Sequence, residues 1–122
     1  MARVSHFDIV AKNPERLAKF YKSIFGWNFE KWDGPMDYWM ITTGDKDEVG
    51  INGGMSKKEG NNMMNVNTIS VDSVDKTTKK LEKVGGKIIM PKMAIPSVGW
   101  IAYFEDPEGN KFGIMEEDLS AE

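Results

Sequence analysis

Between Val4 and Val10 apolar and polar side chains alternate, with Phe7 and Ile9 on one side and His6, Asp8 and Val10 on the other. That period of two predicts a half-buried strand. Asn13-Pro14-Glu15 then supplies an N-cap, a proline at the first helical position and an acid in the first turn. Leu17, Tyr21, Ile24 and Phe25 recur at helical spacing and predict a buried stripe, and Gly26 closes the helix. Strands are predicted over Trp27–Trp32, Tyr38–Thr42 and Val49–Gly53, with turns at Asp33-Gly34-Pro35 and Gly44–Asp47.

A polar, aperiodic stretch follows, and then the pattern begins again. Val66–Val71 reads as a strand with Ile69 and Val71 toward a helix and Thr68 and Ser70 away from it. Asp72 or Ser73 caps a helix whose stripe is Val74, Leu81 and Val84, and Gly85-Gly86 ends it. Strands are predicted at Lys87–Met90, Trp100–Phe104 and Lys111–Met115, with an irregular loop over Pro91–Val98, a tight turn over 106–110 and a frayed tail. Residues 6–26 lie over 66–86 at a shift of 60, and Trp39–Asn52 over Trp100–Gly113 at a shift of 61. The plan is therefore βαβββ twice, an α+β architecture. The whole chain, 1–122, is expected to be one domain: a module over about 1–56, a connection over 57–65 and a module over about 66–117, with a cleft between the modules.

Composition narrows the function. With 122 residues, 40% apolar and 29% charged, the chain suits one ordinary globular domain. A net charge of −3 with no basic stripe argues against nucleic acid. No apolar run reaches the length of a membrane span or a signal peptide, so no membrane partner is expected. The lack of cysteine removes thiolate chemistry and suits a cytoplasmic setting.

The polar side chains suggest a site. His6 is the single histidine, and Asp8 shares its strand face, so the two form a candidate general-base pair or simply a polar pair in a wet cleft. Trp39 and Trp100 occupy matching places in the repeat and are candidate aromatic walls for a flat ligand; core or dimer-interface positions are the alternative. Trp32, Met36, Tyr38 and Met40 lie near the first module's turn and are placed to rim the same opening.

His6 followed by Phe20-Tyr21, the run FYKSIFGW from Phe20 to Trp27, Gly85-Gly86-Lys87, Val98-Gly99-Trp100 and the closing DPEGNKFGIME from Asp106 to Glu116 together resemble the vicinal oxygen chelate superfamily. That superfamily includes glyoxalase I, bleomycin- and fosfomycin-resistance proteins and extradiol dioxygenases, and the likeness is greatest to small lactoylglutathione-lyase-related proteins. The resemblance implies a half-open barrel-like cleft, frequent homodimers, and a divalent metal with four ligands, two per module. Carried over, those positions fall on His6, Asn52, Val66 and Gly113. His6 suits a metal, Asn52 offers a weak neutral oxygen, and Val66 and Gly113 offer no side-chain donor. Asp8 is the nearest carboxylate for a rebuilt site, with Glu48, Glu116 and Glu117 more distant.

The expected function is binding of a small organic ligand without the family metal and with no other cofactor. The site is expected to comprise His6, Asp8, Trp39, Asn52, Thr68, Ser70, Trp100 and Met115. One alternative is a metal-dependent lyase, isomerase or dioxygenase using His6 and carboxylates. The other is an interaction module whose cleft is filled by its own side chains. Whether any reaction is catalysed is left open, with His6 and Asp8 as the candidate catalytic residues.

Overall fold

The computed structural model describes residues 2–59 and 65–122. Two compact units emerge, His6–Asn65 and Val66–Glu122, the latter joined by the first five residues.

The first unit contains β1 (Arg3–Ala11), α1 (Pro14–Phe25), β2 (Asn28–Lys31), β3 (Tyr38–Thr42) and β4 (Asn52–Lys57). The predicted helix signals act as read. Asn13 Oδ1 accepts the Arg16 N–H at 3.2 Å, and Gly26 takes the left-handed conformation at φ 72°, donating its N–H to Lys22 O at 2.9 Å. The sheet order is β2-β3-β4-β1, with β1 and β4 parallel and the other pairs antiparallel. One sheet face carries the core: Ala11, Ile41 and Met55 are buried, with Phe7, Ile9, Phe29 and Trp39 beside them under Leu17 and Ala18 of α1.

Two expectations fail here. Ile24 and Phe25 are each 60% exposed, so the buried stripe of α1 is narrower than its spacing implies. The core takes Leu17 and Ala18, while Phe25 stacks on Tyr21 and meets Trp27 at a tilt. The strand predicted at Val49–Gly53 instead runs from Asn52 to Lys57. Val49 is fully exposed and Gly50 has φ 149°, whereas Gly53 and Gly54 pair in register with both β1 and β3. Backbone pairing, rather than the local apolar pattern, sets this strand.

The second unit repeats the plan with β5 (Val66–Ser70), α2 (Val74–Lys83), β6 (Lys87–Ile95), β7 (Gly99–Glu105) and β8 (Lys111–Glu117), in the order β6-β7-β8-β5. Ser73, not Asp72, caps α2 by accepting the Lys76 N–H at 3.1 Å. Val74, Ala102, Phe104 and Ile114 are buried, with Ile69, Val71 and Leu81 packed on them. Val84, expected in the stripe, is 76% exposed, because α2 ends at Lys83 and Val84 is its C-cap.

The loop expected after Met90 is strand. β6 continues through Pro91 to Ile95, and its register with β7 slips between Ile88 and Met93. Proline lacks an N–H for the ladder, and a bulge is where a strand tolerates it. The tail is likewise fixed rather than frayed. Asp118 donates its N–H to Val98 O, Ser97 donates to Ala121 O, and Ala121 is 2% exposed. Among the described residues, no helix is long and apolar enough to cross a membrane.

Candidate functional site

Side chains at alternate positions of the first unit's sheet point away from α1. On that open face β1 presents His6 and Asp8, β3 presents Tyr38 and Met40, and β4 presents Asn52 and Gly54. Asp8 pairs with Gly54, and Gly54 with Met40. Because Gly54 has no side chain, the Tyr38 ring crosses the space above it. A Cβ there would sit 1.5 Å from the Tyr38 hydroxyl.

The hydroxyl thereby reaches β1. Tyr38 donates to Asp8 Oδ1 at 2.7 Å and lies 2.8 Å from His6 Nε2, while His6 Nε2 and Asp8 Oδ1 are 3.4 Å apart. A phenol has one proton to give. With that proton on Asp8, the network assigns N–H to His6 Nε2, and neutral His6 keeps its lone pair on Nδ1. The His6 and Asp8 side chains are 35% and 18% exposed, so both are half-sheltered yet reachable. Trp32 meets the Tyr38 ring edge-on at 6.1 Å and 84°, and the Trp32 backbone N–H donates to the Tyr38 backbone carbonyl at 2.7 Å.

Asn52 stands directly opposite His6 in the β1–β4 ladder. Its Oδ1 is already engaged, accepting the Thr43 N–H at 2.9 Å and lying 3.3 Å from Thr43 Oγ1. Trp39 is on the other face. It packs with the core beneath α1, and Lys31 Nζ sits 5.5 Å from its ring.

In the second unit Trp100 also packs on its helix-side core. Its indole N–H donates to Asp118 Oδ2 at 2.9 Å, and Lys92 Nζ lies 4.5 Å from the ring. The Ser120 and Trp100 donors hold the Asp118 carboxyl below the usual carboxylate range, aided by Lys92. Trp39 and Trp100 thus each pack, partly buried, against the helix-side core of their own unit. They are not register equivalents. Ile9 pairs with Met55, and Ile69 with Ile114; Trp39 pairs with Met55, while Ala102 is the residue opposite Ile114.

Ser70 Oγ lies 2.5 Å from Ser5 Oγ. Thr68 is 1% exposed, and its Oγ1 has no hydrogen-bond partner among the described residues. Met115 is half-buried beside Ser70 and Ile101 in the ladders.

Four ligands to a divalent ion are not assembled by these residues. Among the described residues there is no group of three or more His, Cys, Asp or Glu placed to hold one. Two of the three more distant candidates have other duties: Glu48 Oε1 accepts the Asp45 N–H, and Glu116 Oε1 accepts the Val74 N–H at the start of α2. His6 and Asp8 alone, with a neutral amide committed to a turn, do not fit a transition-metal site.

Tyr38 is the member that sequence reasoning placed only on a rim. The readable signal was Gly53-Gly54 inside a strand facing β1, because interior strand glycine marks close approach of another group.

Known proteins agree with this architecture. The model of the glyoxalase/bleomycin resistance protein/dioxygenase superfamily matches residues 3–114, and the chain belongs to that superfamily. A glyoxylase-like domain-containing protein of Didymella fabae is 31% identical over 117 residues, covering 92% of this chain and 91% of that one. CFP32, a candidate glyoxylase of Mycobacterium tuberculosis, is 28% identical over 115 residues, which is 89% of this chain. The chain spans only 43% of the length of that relative. Among solved structures, the Bacillus halodurans protein BH1468 aligns with a TM-score of 0.74 at 13% identity, covering 99% of this chain and 98% of that one. Methylmalonyl-CoA epimerase of Mycobacterium tuberculosis aligns with a TM-score of 0.68 at 10% identity, covering 93% and 87%. At such identities the likeness is one of fold.

Proposed function

We propose that the open face of the first unit binds a small oxygen-bearing organic molecule through His6, Tyr38 and Asp8, without a divalent metal. The observation that carries this is the Tyr38 hydroxyl seated between His6 Nε2 and Asp8 Oδ1 at 2.8 and 2.7 Å. A phenol bridging His6, which stands at one of the family's metal-ligand positions, to Asp8 puts hydrogen bonding in place of ion chelation. The arrangement leaves His6 Nδ1 and the second Asp8 oxygen as acceptors for a ligand hydroxyl, and Met40, 43% exposed, as apolar surface beside them. Family membership supports a small-molecule ligand, since relatives in the same fold include an epimerase solved with methylmalonyl-CoA. A cytoplasmic homodimer belongs to the same reading.

The test is a thermal-shift screen of small hydroxylated aromatics and glutathione adducts, with and without chelator. A ligand of the native state raises stability by about 2.7 kcal/mol at a hundredfold excess over Kd. The expected result is a chelator-insensitive shift that Tyr38→Phe and His6→Ala abolish. A shift that requires added metal overturns the reading, as does one that both variants retain.

A further inference from the structure

Beside Tyr38, residues 31–37 enclose an open recess of about 430 Å³ that the hydrogen-bonded trio does not use. Trp32 forms one wall of it. Gly34 permits this, because its missing Cβ would lie 2.3 Å from the indole ring, so the ring folds back over the turn. The same indole meets Tyr38 edge-on. Met36, 59% exposed, and Pro35 add apolar surface to the recess.

The charges are uneven. Lys31, the cation of the segment, is paired with Asp37 at 3.4 Å and sits near the Trp39 ring on the opposite sheet face. Asp33 has no ion pair among the described residues. The recess thus offers an indole wall, a thioether and an uncompensated carboxylate, a combination that favours a ligand group both apolar and cationic.

We infer that this recess is the second subsite of the ligand-binding face and takes the arylalkyl-amine or alkyl-amine end of a molecule, with Trp32 as its wall. The inference rests on the reading that Tyr38, His6 and Asp8 hold the oxygenated end. Trp32 then touches both ends of the ligand site and acts as a specificity residue.

Three probes with one indole body and different charge test it: tryptamine, tryptophol and indole-3-propionate, titrated into the isotopically labelled full chain by two-dimensional NMR. Tryptamine is expected to move the Trp32 side-chain N–H signal, identified by its loss in Trp32→Phe. Its apparent affinity should exceed that of indole-3-propionate by about tenfold, a difference of about 1.4 kcal/mol. Asp33→Asn should erase most of that preference, and Trp32→Ala should weaken tryptamine by about tenfold, the effect of one cation–π contact. Retained spectral dispersion establishes that the variants are folded.

Equal affinities for the three probes, unaltered tryptamine binding in Trp32→Ala, or no movement of recess signals at about 20 mM probe, well beyond ordinary ligand affinities, each overturns the subsite. Failure here is distinguishable from failure of the binding reading. A ligand whose thermal shift depends on Tyr38 while tryptamine leaves the recess unmoved removes the subsite alone. Tryptamine bound in the recess with every shift independent of Tyr38 and His6 removes the binding reading instead.

Discussion

Gly54 and Tyr38 exclude one another. A Cβ on Gly54 would lie 1.5 Å from the Tyr38 hydroxyl and 2.0 Å from the ring carbon bearing it, so the strand's missing side chain is what lets the phenol reach His6 and Asp8. Its neighbour Gly53 differs in kind, since a Cβ there would meet the Phe7 carbonyl at 2.5 Å as well as the Phe7 ring. A tyrosine tip swings away at small cost, whereas a paired strand's carbonyl does not.

The two glycines should therefore separate function from stability. Gly54→Ala should abolish ligand binding because Tyr38 is displaced, at a stability cost of only about 1 kcal/mol, the worth of the lost hydrogen-bond bridge. Gly53→Ala should cost about 1–3 kcal/mol by overpacking the β1–β4 contact. Denaturant unfolding and the thermal-shift assay on both variants check the contrast.

Tyr38→Phe removes a half-sheltered hydrogen-bond bridge and should cost about 1 kcal/mol of stability. Nitrogen NMR of His6 should report Nε2–H as the dominant neutral tautomer in the wild type. The variant should keep Nε2–H, because the Asp8 carboxylate 3.4 Å away takes over as acceptor. A wild-type proton on Nδ1 contradicts the network.

Thr68 presents an opposite case. Its hydroxyl is buried without a partner among the described residues, and it touches the space over Gly113, where a Cβ would lie 3.0 Å from Oγ1. Thr68→Val keeps the shape and removes the orphaned polar atom. It should be neutral or stabilising by up to about 1–2 kcal/mol. A loss of more than about 1 kcal/mol, the worth of an ordinary hydrogen bond, would mean that the hydroxyl has a native partner.

Asp118 supplies a pH dependence with a definite sign. Its carboxyl is held below the usual range by the Ser120 and Trp100 donors, so the native state favours the ionised form. The stabilisation is fully present above the ordinary carboxylate pKa of about 4 and is lost as pH falls through the lowered native value. The stability gap between wild type and Asp118→Asn should accordingly be constant from pH 5 to 7 and shrink below about pH 4. Urea unfolding across that range measures it, and a gap that widens toward low pH contradicts the assignment.

Much of the fold was legible because repeating patterns carry it. Period-two strands, the Asn13 and Gly26 caps and the doubled βαβββ order all appear where the sequence puts them. The failures share a cause. β4 has no apolar alternation to read, since its central glycines are defined by what crosses them, and β6 continues through Pro91 by way of a bulge. The site was half legible. His6 and Asp8 share a face by simple parity, but Tyr38 joins them diagonally across a third strand. The tryptophans match at a shift of 61 but not in ladder register: Trp39 sits opposite Met55 and Trp100 opposite Glu116.

The decisive measurement is elemental analysis of untagged protein grown with nickel, zinc, manganese and iron, set beside ligand affinity before and after chelation. Bridging of His6 and Asp8 by Tyr38 predicts far less than one metal per chain and a Kd unchanged by chelator. One equivalent of a divalent metal, lost in His6→Ala together with binding, would contradict it.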